Sequence, residues 1–149
     1  HAIRNYFQQH SLGDPIAEIL RCCETISEKK SVSRLISWLN DNSDTTIHTG
    51  MLLTSQSLIW VRRGDRSGTV LTAASLKEIS VEAHTSMLTK DHGLEVSGYM
   101  EGSNKPMRGY IGMGQEIAAQ EFCEEVKQAV IKANPPLPKS RPKWFWEKK

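Results

Sequence analysis

The residues able to do chemistry are few and scattered along the chain. Five histidines, His1, His10, His48, His84 and His92, are the natural candidates for proton transfer or metal ligation. None stands four residues from another or beside a cysteine at ligand spacing, so the sequence offers no zinc-type site. The three cysteines, Cys22, Cys23 and Cys123, contain no C-x-x-C pair, and their odd number fits a reducing compartment better than a disulfide scaffold. No G-x-S-x-G elbow frames a serine nucleophile. Gly109, Gly112 and Gly114 precede the last predicted helix, but their single spacing reads as a strand-to-helix turn rather than a phosphate-cradling loop. The expectation is a protein without catalytic residues, cofactor or metal.

Two basic stretches remain as candidate binding surfaces. Arg62, Arg63 and Arg66 crowd one predicted hairpin tip, where guanidinium groups suit phosphate or an anionic leaflet. The plainer reading is a solvated turn in which Asp65 offsets one charge. Near the end, Lys143, Trp144, Phe145 and Trp146 combine cation and aromatic ring, the pairing favoured at a membrane interface. The prolines before them, in Pro135-Pro-Leu-Pro138, also approach a polyproline ligand for an SH3-type groove. Against both stands a third reading, in which the aromatic side chains fold back on the domain, since exposed Trp-Phe-Trp invites aggregation.

Composition limits the possibilities. With 149 residues the chain has the size of one domain, able to bury roughly 70% of its unfolded surface. A formal net charge of +2 lacks the dense basic surface of a nucleic-acid binder, and none is expected as a partner. No apolar run reaches the roughly 18 residues of a membrane span, so the expected setting is cytoplasmic, peripheral to a membrane if the basic stretches meet lipid. The chain opens on His1 and not on Met, which leaves room for residues upstream.

The elements that position these residues follow from turn chemistry and periodicity. Ala2 to His10 reads as a short helix with Ile3 and Phe7 on one side. Asp14 and Pro15 mark a helix start, and the following Ile16 to Ile26 satisfies both helix and strand periods. Ser31 to Asn40 places Val32, Leu35, Ile36 and Leu39 on one helical stripe. Then come short strands at Ile47 to Leu53, Leu58 to Arg62, Thr69 to Thr72, Ile79 to Ala83, Leu94 to Met100 and Met107 to Ile111. In the turn from Arg63 to Gly68, two glycines are expected to supply positive φ. From Gln115 to Ala133 the period becomes 3.6, with Ala119, Phe122, Cys123, Val126 and Val130 on the apolar side. Pro135 and Pro136 end it.

Several residue strings carry a family resemblance. Glu18-Ile19-Leu20, then Met51-Leu-Leu-Thr54 with Ser57-Leu-Ile-Trp60, then Leu76-Lys-Glu-Ile-Ser-Val-Glu82 and the helical Glu121-Phe-Cys-Glu-Glu-Val126 resemble the bacterial PH-like and GRAM-like domains. The resemblance covers roughly residues 18–133. It implies an α+β fold: a bent antiparallel barrel of pleckstrin-homology type closed by a C-terminal helix, with residues 1–17 as an N-terminal extension and 134–149 as a tail. It makes Ile16 to Ile26 the first strand after a turn of helix, and Ser31 to Asn40 an insertion. It further implies a non-catalytic module that binds headgroups, membrane surfaces or peptides. The basic cluster that headgroup-binding members carry on their first hairpin is matched here only by Arg21, Lys29 and Lys30. The functions expected are therefore peripheral contact with anionic membrane or, in the alternative, protein–protein interaction or oligomerisation; an enzyme stands a distant third, for want of a catalytic motif.

Overall fold

The computed structural model describes residues 2–9, 19–28, 44, 46–85, 92–114 and 116–135. The expected helix at Ser31 to Asn40 and the tail residues Lys143, Trp144, Phe145 and Trp146 lie outside them. In chain order the elements are α1 (Ala2–Gln9), β1 (Ile19–Glu28), β2 (Thr46–Thr54), β3 (Ser57–Gly64), β4 (Gly68–Ser75), β5 (Ile79–Thr85), β6 (His92–Gly98), β7 (Met107–Gly112) and α2 (Ile117–Ala133). The ambiguous stretch before Ile26 is a strand from Ile19 onward, with an irregularity between Ile19 and Arg21.

The protein is α+β. Strands β1 to β4 form one antiparallel sheet in chain order, and β5 to β7 form a second. Among the described residues they do not close into a barrel. The chain leaves the first sheet at Ser75, where the Glu78 N–H donates to the Ser75 carbonyl at 3.0 Å, and the ladder restarts at Ile79. At the other seam β1 reaches β7 through a side chain, the Thr25 hydroxyl donating to the Gly112 carbonyl at 3.0 Å.

Turn chemistry sets the register of the first sheet. The Thr54 hydroxyl accepts the Ser57 N–H at 2.9 Å and so fixes the two-residue loop Ser55-Gln56, with Leu53 and Leu58 paired just behind it. In the next hairpin Gly64 pairs with Gly68 around Asp65, Arg66 and Ser67. Of the two glycines only Gly68 has positive φ, 76°, where β4 begins directly after the turn, a conformation glycine adopts without strain. Gly64 has a different reason to be glycine: a Cβ there would lie 2.0 Å from an Asp44 carboxylate oxygen.

The inner faces of both sheets and one side of α2 share a core. Met51, Leu53 and Leu58 come from the first sheet, Leu94, Val96 and Ile111 from the second, and Phe122, Val126 and Val130 from α2. Cys123 is buried in it and its thiol is pushed up by burial, behaviour that matches a small apolar residue. Asn134 ties the end of α2 to the β4–β5 turn, its side-chain amide donating to the Leu76 carbonyl at 2.8 Å. The outer face of the first sheet is covered too. Phe7 from α1 packs with Leu52, Ile59 and Ala73. This double burial accounts for Met51-Leu52-Leu53, where three apolar residues run together instead of alternating.

Candidate functional site

The β3–β4 hairpin carries the described part of the predicted surface. Because side chains alternate along a strand, Arg62 and Arg63 point to opposite faces of the sheet, and Arg66 stands in the turn. Arg62 shares a row with Thr49 and Val70, while Arg63 faces His48 on one side and Thr69 on the other. The arginines therefore do not form one flat patch. All three are exposed, and none makes an ion pair with a described residue. Other arginines are neutralised in place: Arg21 pairs with Glu125 at 3.0 Å and Glu121 at 3.9 Å, and Arg108 pairs with Glu95.

The tip is held by Asp44. Its carboxylate accepts the Arg66 N–H and the Ser67 N–H, each at 2.8 Å, and the Ser67 hydroxyl at 2.5 Å. The Ser67 hydroxyl first, then the two backbone N–H groups, hold this carboxyl down to about 2, so it is ionised throughout the physiological range. The turn is thus braced from a residue outside the hairpin. That brace fixes where Arg66 begins its side chain.

Beside the hairpin lies a cleft of about 500 Å³, lined by Glu24, Thr46, His48, Arg63, Gly64 and Asp65. Thr46 and His48 stand two apart on β2 and face the same way, Arg63 is opposite His48 on β3, and Glu24 is opposite Gly50 on β1. From the sequence Arg63 and Asp65 stand together in the turn and His48 is one of five scattered histidines, with nothing to join it to them or to Glu24 and Thr46. Its partners are legible only through register: with the loop at Thr54 to Ser57 fixed, counting back along the hairpin sets His48 against Arg63.

The remaining candidates fall apart from one another. His84 stacks edge-on against Tyr110, with ring centres 5.4 Å apart, and its Nδ1 lies 4.0 Å from Glu95. Gly93 lies beneath that tyrosine, where a Cβ would come within 2.4 Å of the ring. Gly109 and Gly112 are strand residues of β7, and Gly114, at φ 72°, turns the chain towards α2. Cys22, Cys23 and Cys123 are free thiols, and burial raises the Cys23 thiol as well. Among the described residues no three His, Cys, Asp or Glu side chains gather as metal ligands, and no helix is long and apolar enough to cross a membrane. Lys29 and Lys30, like His1 and His10, lie outside the described residues.

Comparison with protein-family models, curated proteins and solved structures found no match for the chain.

Proposed function

We propose that this chain is a non-catalytic binding module of the pleckstrin-homology type, meeting an anionic membrane surface through the β3–β4 hairpin. The fold part of this reading is supported by four strands followed by three in chain order and one amphipathic helix packed against them. The functional part rests on one observation. The exposed arginines of the hairpin have no carboxylate partner among the described residues, while Arg21 and Arg108 do. Asp44 and Asp65 offset part of the hairpin's charge, but the Asp44 carboxylate is engaged by donors of the turn itself. Guanidinium groups on both faces of a narrow hairpin suit end-on contact with headgroups. In this reading Lys143, Trp144, Phe145 and Trp146 supply a second contact.

Flotation with neutral and anionic vesicles at two salt concentrations tests the proposal. At about 1 kcal/mol for each basic residue near an anionic leaflet, replacing Arg62, Arg63 and Arg66 together by Gln is expected to lower partitioning about a hundredfold at low salt. Binding should fade with salt, and removal of residues 136–149 should weaken it further. Failure to float on anionic vesicles at low salt would refute the reading.

A second reading, an interaction or oligomerisation module, is favoured by exposed Tyr99, Met107 and Tyr110 on and beside the second sheet, residue types enriched in protein interfaces. It predicts a salt-tolerant assembly in solution that Tyr110→Glu disrupts. A monomeric mass at high protein concentration would exclude self-association.

A further inference from the structure

The cleft beside the hairpin carries opposite charges on opposite walls. Glu24 stands on β1 and Arg63 on β3, with Thr46 and His48 on β2 between them. Strands two apart in a sheet are separated by about 9.5 Å. The two walls also differ by one row, since Glu24 registers with Gly50 and Arg63 with His48. Gly50 leaves its own row unfilled: a Cβ there would meet nothing within 4 Å. A carboxylate and a guanidinium thus share one cleft, and neither makes an ion pair with a described residue.

The charge balance narrows the ligand. Glu24 and Asp65 set two carboxylates against one guanidinium and one imidazole, which disfavours a polyanion. A simple cation would leave Arg63 unmatched. A net-neutral molecule with an ammonium at one end and an oxyanion at the other satisfies both walls, and a cleft of about 500 Å³ has room for it. We propose that this cleft binds an ethanolamine phosphodiester, its ammonium against Glu24 and its phosphate against Arg63, His48 and Thr46. A guanidinium grips a phosphate oxygen pair in a bidentate fork, and the ammonium presents three donors to the carboxylate. The same chemistry is found in a phosphatidylethanolamine headgroup and in a free glycerophosphodiester. The proposal does not depend on the membrane contact proposed above.

The test is a titration of the full chain with glycerophosphoethanolamine, followed by amide chemical shifts, with glycerol phosphate and ethanolamine as separate probes. Saturable shifts in Thr46, His48, Arg63 and Gly64 are expected. Glu24→Gln and Arg63→Gln should each weaken binding by about tenfold or more. Gly50→Val, which fills the open row, should abolish it with the unfolding midpoint kept. No shifts in these residues, equal affinity in Glu24→Gln, or equal affinity for glycerol phosphate would each overturn the assignment. Neutral vesicles separate the sources: flotation with phosphatidylethanolamine but not with phosphatidylcholine identifies the headgroup, and binding of the soluble diester alone identifies the free compound. Flotation on anionic lipid without any response to the soluble diester or to phosphatidylethanolamine would sink the cleft proposal and leave the hairpin reading standing.

Discussion

Gly98 is the backbone position at which one added methyl group should do the most damage. It ends β6 with φ at 140°, a region that residues with a side chain rarely adopt. A Cβ built there lies 2.1 Å from the Glu78 carbonyl oxygen and 2.8 Å from the Ile79 Cα. These are backbone atoms where β5 begins, and Ile79 is the register partner of Gly98, so neither can turn aside as a flexible side chain would. The same Glu78 carbonyl accepts the Tyr99 N–H at 3.1 Å. Gly98→Ala must therefore push β5 away, and three costs follow. Backbone strain is on the order of 1–3 kcal/mol, overpacking about 1–3 kcal/mol, and the weakened hydrogen bond about 1 kcal/mol. With partial relaxation the expected loss is about 3–5 kcal/mol, a large share of the roughly 5–15 kcal/mol that holds a domain together. Gly109→Ala is the control, since Gly109 has no positive φ and nothing within 4 Å of its Cβ position. It should change stability by no more than about 0.5 kcal/mol. Urea unfolding of both variants, read as midpoints at unchanged slope, measures the difference. A loss below about 1 kcal/mol for Gly98→Ala, or equal losses in both, would mean that the close approach of β6 to the start of β5 does not limit stability.

Two further predictions follow from the second core and from the hairpin brace. Phe7 is buried against Leu52, Ile59 and Ala73, so Phe7→Ala should weaken the docking of α1 by about 3 kcal/mol or more; hydrogen exchange should show α1 unprotected with β3 still protected, and intact α1 protection would contradict this packing. For Asp44 the folded carboxyl titrates near 2, below the roughly 3.9 of an unfolded aspartate, so the stability it adds is present above about pH 4 and lost as pH falls through about 2. The Arg66 and Ser67 amide shifts should report that midpoint. A midpoint near 4 would mean that the brace is absent in solution.

The sequence alone was sufficient for what depends on near neighbours. Period 3.6 from Ala119 to Val130 marks α2, and Ser-Gln and Asp-Arg-Ser-Gly turns mark the hairpins, because backbone preferences and alternating burial act over a few residues. Boundaries were less legible. Ending β3 at Arg62 put Arg63 in the turn, whereas the strand runs to Gly64 and sets the two arginines on opposite faces. Tertiary structure alone decided the rest. Nothing local in Met51-Leu52-Leu53 says that α1 covers Leu52 while the core takes its neighbours. Nor does anything near Gly64 announce the Asp44 carboxylate that excludes a side chain there. Glu24, His48 and Arg63 meet in one cleft only because the registers of two strand pairs set three strands side by side. Register is chosen by the burial of whole strand faces, since a slip of one residue would turn every core side chain towards solvent. That choice sums contacts over the whole sheet, and no short window of sequence contains it.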